Sequence, residues 1–155
     1  MADKDLKPFT PGQERMLAFV VKPMSHINTW LYRLSGGRIG GRWMYGAPVM
    51  LLSYTGRKSG KRMTTPLLYI RDGRDVITVA SKGGSATHPM WFLNLRANPD
   101  CEVEIGRDKT RMRARTATAA EKKKYWPQLV KVYPDYDDYQ RRSPRDIPVV
   151  ILTPA

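Results

Sequence analysis

The sequence predicts a mainly β fold, a small antiparallel barrel with peripheral helices. Three observations predict it. About six short apolar or alternating runs fall between residues 48 and 152, each bounded by turns bearing glycine, proline or asparagine. The helical patterns are few and do not alternate with the strand runs, which argues against a doubly wound parallel sheet. A chain of 155 residues, 41% of them apolar, suits one core of ordinary size.

Residues 1–9 are expected to form a flexible tail and residues 10–155 a single domain. Thr10-Pro11-Gly12-Gln13 reads as a helix start, with Thr as cap, Pro at the first position and Gln reaching back. That helix is expected to stop at Pro23, with Met16, Leu17, Phe19 and Val20 on its apolar side and Lys7, Arg15 and Lys22 around it. Ser25 is placed to cap a second helix through Ile27, Trp30, Leu31 and Leu34, ended by Gly36-Gly37. Residues 36–46 are glycine-rich and aperiodic, hence loop. Strands are expected at 48–53 and 64–71, with a hairpin turn at Asp72-Gly73-Arg74 leading into a strand over 75–81. Pro89 opens a short helix ending at Arg96, before Asn98-Pro99. Strands at 101–105 and 110–116 follow, the second alternating Thr110, Met112 and Ala114 with Arg111, Arg113 and Arg115. Thr118-Ala119-Ala120-Glu121 is another capping box, opening a helix through Tyr125, Trp126, Leu129 and Val130 that ends before Pro134. In the next stretch Pro134, Asp135, Asp137 and Asp138 speak against a regular helix start. A last strand is expected over 147–152, with Pro148 marking an edge or a strand start.

The balance of 27 Lys+Arg against 14 Asp+Glu leaves a formal net charge of +13, which calls for an acidic partner. Nucleic acid is not expected, because the aromatic residues fall in apolar helical stretches and are not interleaved with the cations as stacking platforms. Cys101, the sole cysteine, permits no intrachain disulfide and suits a cytoplasmic location; it lies on the apolar face of its strand and is expected to be a core thiol. His26 and His88 have no partner at metal-ligand spacing, so no metal is expected. No apolar run approaches the ~20 residues of a membrane span. A basic amphipathic helix at residues 10–22 has the capacity to lie peripherally on a membrane, against the plainer expectation that it packs on the domain.

Two loops can grip an anion. In Tyr54-Thr55-Gly56-Arg57-Lys58-Ser59-Gly60-Lys61-Arg62, four cations and three hydroxyls share one glycine-bearing turn, and the competing reading is a solvated basic hairpin. Ala80-Ser81-Lys82-Gly83-Gly84 offers a hydroxyl, a cation and further backbone donors, followed by His88-Pro89-Met90-Trp91 at a helix start. A pair of such loops suits an elongated polyanion. Trp91 offers a face for stacking, although taken alone core packing is the favoured reading for it and for Met90. Tyr133, Tyr136 and Tyr139 are spaced to share a helical face; a phenol with a pKa near ~10 stays protonated and can donate to a developing oxyanion. A lid packed on the core is the alternative for the three.

Taken together, several stretches resemble the deazaflavin-dependent nitroreductase family of actinobacteria, which uses coenzyme F-420. They are Met24-Ser25-His26-Ile27-Asn28-Thr29-Trp30, Thr55–Gly60, Pro66-Leu67, Ala80–Gly84, Pro89–Leu95, Tyr125–Val130 and the tyrosine series, in the family's order. The resemblance implies a split β-barrel related to flavin-binding (FMN-binding-like) oxidoreductases. It implies that Arg57, Lys58 and Ser59, with Lys82 and Gly83, hold the phosphate and acidic tail of the coenzyme, and that Pro66, Met90, Trp91 and Asn94 line it. Leu68, Tyr133 and Tyr139 would face the substrate, and Tyr136 and Ser81 would be catalytic donors.

Two positions depart from the family pattern. Met63 stands where a basic residue is common, with Arg62 a neighbouring substitute, and Leu68 replaces a tyrosine of the nitroimidazole-activating member. The expected function is therefore an F-420-dependent reductase of quinones, activated double bonds or nitroaromatics, acting as a monomer or weak dimer. A flavin mononucleotide oxidoreductase and a non-catalytic coenzyme carrier are the rivals.

Overall fold

Among the described residues, seven strands form one sheet: β1 (Val49–Thr55), β2 (Arg62–Leu68), β3 (Ile70–Asp72), β4 (Asp75–Val79), β5 (Asp100–Ile105), β6 (Asp108–Thr116) and β7 (Val149–Pro154). Their order is β2-β1-β5-β6-β7-β4-β3, and every neighbouring pair is antiparallel. Four helices accompany them: α1 (Pro11–Ser35), α2 (Met90–Ala97), α3 (Ala119–Val132) and α4 (Asp135–Arg142). The computed structural model describes residues 9–155, without the side chains of residues 14 and 17–25. The expected tail at residues 1–8, and the roles expected of Lys7, Leu17, Phe19, Val20 and Lys22, lie outside the described residues.

The expected strand over 64–71 is two strands. It breaks at Tyr69, whose N–H donates to the Pro48 carbonyl at 3.3 Å. β2 and β3 are the two edges of the sheet, so the chain passes from one edge to the other through a single residue. The Thr78 hydroxyl donates to the Leu68 carbonyl at 2.7 Å beside that crossing, but no ladder joins β2 to β3 and the sheet is not closed. This is the architecture of a split barrel.

Side-chain alternation on β4 and β7 feeds two cores. Val76, Val150 and Leu152 join Met50, Leu52, Tyr54, Val103 and Met112 beneath α2. Ile77, Val79, Val149 and Ile151 face the other way and are covered by Tyr125 and Leu129 from α3, Tyr136 from α4 and Tyr133 from the link between them. Pro148 is therefore a strand start beside two central strands, not an edge marker. On β6, Met112 is buried and Ala114 half-buried while Arg111, Arg113 and Arg115 are exposed, as the alternation predicts, but Thr110 of the expected inward face is exposed too.

The helices expected at 10–22 and 25–34 are one helix. Pro23 removes one N–H donor and costs about 3 kcal/mol in a helix interior, but its φ is helical, so it does not oblige the chain to stop. Thr10 and Gln13 form the expected capping box, and Gly36 closes the helix at φ 63°. The C-terminal end is tied to β5. Arg33 donates to both carboxylate oxygens of buried Glu104, at 2.8–3.3 Å, and the Tyr32 hydroxyl accepts from the Gly106 N–H at 2.8 Å. The helix at 135–142 also corrects the expectation, since acidic residues in its first turn complement the helix dipole.

Candidate active site

β1 and β4 are separated by four antiparallel steps, through β5, β6 and β7. They consequently run in the same direction, and the loops that follow them leave the same end of the sheet. Those loops are the two anion-capable segments.

In the first loop, the Gly56 N–H donates to the Lys61 carbonyl at 2.8 Å and the Gly60 N–H to the Gly56 carbonyl at 2.9 Å. Gly60 takes φ 67°, where a β-carbon is disfavoured. Arg57, Lys58, Ser59 and Lys61 are exposed. The loop is fixed to α2 by buried Asn94, whose Oδ1 accepts from both the N–H and Nη1 of Arg57, each at 3.1 Å. Arg62, by contrast, is engaged by Glu102 at 2.8 Å. It does not stand free to replace the missing cation at Met63, which is 42% exposed.

The second loop is a tight turn over Lys82–Gly84 in which Lys82, Gly83 and Gly84 all have positive φ. Lys82 and Tyr45 are the non-glycine residues with this conformation among those described. The Lys82 ammonium donates to the Thr87 hydroxyl at 2.8 Å. Gly84 packs directly on α4: a β-carbon there would meet the Tyr139 carbonyl oxygen at 2.7 Å. Ser81 is half-buried.

α4 and the link from α3, which carries Tyr133, bring the tyrosine series beside this turn. The Tyr133 and Tyr139 hydroxyls are hydrogen-bonded at 3.0 Å, and the Tyr133 and Tyr136 rings are 5.0 Å apart. Tyr133 and Tyr136 are buried and Tyr139 half-buried. Burial holds the Tyr136 phenol in its protonated form well above the ordinary range; burial and then the Tyr139 hydrogen bond do the same for Tyr133. A fourth tyrosine joins them. Tyr45 lies edge-on to Tyr133 at 5.7 Å and donates to Asp135 at 3.0 Å.

The remaining predicted positions divide by exposure. Met90 is 54% exposed, whereas Trp91 is 5% exposed and packed edge-on against Phe92 in the core. Pro66 and Leu68 are half-buried on the edge strand β2. Two arginines that the sequence reading passed over also reach the second loop. Arg142 donates weakly from Nη1 to the Gly83 carbonyl at 3.5 Å, and its Nε is buried without a partner among the described residues. Arg145 donates to the carbonyls of Ala80, Ser81 and Ser85.

A cleft of about 320 Å³ lies elsewhere, lined by His88, Phe92, Arg96, Thr116, Lys122 and Asp146 among others. It contains none of the predicted coenzyme residues. Its Lys122 is paired with Asp146, so it matches a polyanion poorly.

Comparison with known families decides among the candidate coenzymes. Residues 24–154 match the model described as F420H(2)-dependent quinone reductase. The chain belongs to that family. It is an oxidoreductase, and the family's coenzyme is the deazaflavin F-420, so neither flavin mononucleotide nor a carrier role is required. A Mycobacterium tuberculosis relative named provisionally for the same activity is 44% identical over 117 residues, covering 76% of this chain and 98% of the relative. The solved structure of an F420-H2 dependent reductase (FDR-A) is 38% identical with a TM-score of 0.64, covering 68% of this chain and 93% of that one. A second solved structure, titled as a domain-swapped dimer, is 30% identical with a TM-score of 0.66, covering 87% and 97%.

Proposed function

We propose that this chain reduces quinones, with conjugated enones and nitroaromatics as further acceptors, using coenzyme F-420 held across the loops at 55–61 and 80–85. The observation that carries the reading is the shared exit of both loops from one end of the sheet; the Arg57–Asn94 contact holds the first of them on α2. The donor set fits the coenzyme's chemistry. Exposed Arg57, Lys58 and Ser59 suit a phosphodiester or carboxylate, and Lys82 and Gly83 add charge and a backbone donor. Pro66 and Met90 line the coenzyme in this reading, Trp91 supports Met90 from the core, and Asn94 acts through Arg57.

The bound reduced coenzyme supplies a hydride to the acceptor. The protein's part is to position the acceptor and to donate to the oxygen that gains charge. Ser81 and Tyr136 are assigned as donors. Burial raises the Tyr136 phenol pKa, so its hydroxyl stays protonated at neutral pH and acts as a hydrogen-bond donor rather than as an acid. Leu68, Tyr133 and Tyr139 shape the acceptor pocket, with Tyr45 extending its aromatic wall.

We further place α1 against the membrane surface, where lipid-soluble quinones reside. Ile27, Trp30 and Leu34 share one helical face and are 62–66% exposed. No described helix is long and apolar enough to cross a membrane. The relative solved as a domain-swapped dimer favours a second occupant of that face, another copy of this chain. Sedimentation with anionic vesicles against light scattering separates the two.

The function is tested by mixing the protein anaerobically with reduced F-420 and a menaquinone analogue and following reappearance of the oxidised deazaflavin chromophore. Protein-dependent oxidation is expected. No turnover with quinone, enone or nitroaromatic acceptors would refute the proposal.

A further inference from the structure

The Lys82–Gly84 turn closes on two hydrogen bonds of its own, Gly84 N–H to the Ser81 carbonyl at 2.9 Å and Ser85 N–H to the Lys82 carbonyl at 3.1 Å, and it is braced from outside as well. Arg145, on the segment between α4 and β7, reaches it with its whole guanidinium. Nε donates to the Ser85 carbonyl at 2.9 Å. Nη2 donates to the Ala80 and Ser81 carbonyls at 3.1 and 2.9 Å. Nη1 lies 3.2 Å from Nδ1 of His88. A guanidinium can only donate, so Nδ1 accepts and the imidazole proton sits on Nε2. Arg145 is in turn held in place: its carbonyl accepts from Gln140 Nε2 at 3.0 Å, and its N–H donates to Ser143 Oγ at 3.3 Å.

A trans peptide points its carbonyl and the following N–H in opposite directions. Carbonyls drawn to one side therefore turn the N–H groups of Ser81, Lys82 and Ala86 to the other. We infer that Arg145 is the positioning residue of the coenzyme site: its fork gathers the carbonyls of Ala80, Ser81 and Ser85 behind the turn so that the backbone donors and the Lys82 side chain face the coenzyme. The inference rests on the function proposed above. Arg145 touches no coenzyme; it acts through the turn. A lysine would keep the charge and lose the fork, so it cannot hold three carbonyls and an imidazole at once.

The test uses the full chain and the variants R145K and R145A. Hydrogen–deuterium exchange of residues 80–88, measured without coenzyme, is expected to accelerate in both variants while exchange in β1, β5 and β6 stays unchanged. Fluorescence titration with oxidised F-420 is expected to show about tenfold weaker binding in R145K. In turnover, KM for the coenzyme rises and kcat falls with it, since the loosened turn also carries Ser81, while the quinone KM changes little. Millimolar guanidinium restores both exchange protection and affinity in R145A. Unchanged exchange at 80–88 overturns the clamp, whatever the coenzyme does. Faster exchange with unaltered affinity overturns its role in binding. A wild-type chain that binds no F-420 refutes the underlying function, and the exchange measurement then still reports separately on the clamp.

Discussion

Arg57 and Asn94 meet through one oxygen: Oδ1 of the buried amide accepts both the backbone N–H and Nη1 of the arginine, each at 3.1 Å. The contact joins the exposed basic loop to α2 and fixes both the path of the loop and the direction of its guanidinium. Asn94→Ala is expected to weaken F-420 binding by about 1.5–3 kcal/mol, although Asn94 need not touch the ligand. Arg57→Ala should cost a similar amount, and the double variant much less than the sum. Fluorescence titration of the four proteins closes the cycle; strict additivity would show that the contact does not organise the site.

Gly84 is required by both its conformation and its surroundings. Its φ is +82°, and a β-carbon would lie 2.7 Å from the Tyr139 carbonyl oxygen. Gly84→Ala is expected to lower stability by at least about 1–3 kcal/mol and to displace α4 from the turn. Gly73→Ala, at φ +58° with open space around it, should cost only the conformational part. Denaturant melts of the two variants make the comparison.

Cys101 is half-buried, and burial, then the neighbouring Asp100, pushes its thiol pKa up to about 12. The native protein should therefore resist iodoacetamide at pH 8, and the unfolded protein should react at an ordinary rate. Rapid alkylation of the native chain would contradict the core assignment.

Glu121 carries the clearest acid-side linkage. A bidentate ion pair with Arg115, both contacts at 2.7 Å, and then the Thr118 N–H hold its pKa at about 2, against an ordinary 4.5. The depressed value means that its stabilising contribution is complete above the unfolded pKa and disappears as pH falls from about 4.5 to about 2. Glu121→Gln is expected to flatten the stability profile across that window. A wild-type and variant difference independent of pH would contradict it.

Tyr136→Phe removes a hydroxyl from a buried ring without changing its packing. It should lower kcat with quinones by about 10²-fold if the phenol donates to the reacting oxygen, leaving coenzyme affinity unchanged. Full activity on every acceptor would transfer the role to Ser81.

The strands were legible because alternation survives in sequence; on β4 and β7, continuous apolar runs reflected burial on both faces. The break at Tyr69 was not, since the one breaker in residues 64–71, Pro66, lies inside β2 and the division arises only where the sheet's two edges meet. Pro23 gave a correct local warning that the longer helix overrides. The cationic loops were legible from composition, but their common exit depends on strand order. Tyr45, Arg142 and Arg145 left no comparable trace. An arginine that braces a turn looks the same in sequence as one in solvent, and nothing local marks Tyr45 as the fourth ring against α4.

The most direct test of the account is a paired titration of the wild-type protein with F-420 and with the same deazaflavin lacking its phosphodiester and glutamate tail. If the two glycine-bearing loops grip the anionic tail, the truncated compound binds about 100-fold more weakly, and added salt narrows the gap. Equal affinity for the two compounds would contradict it.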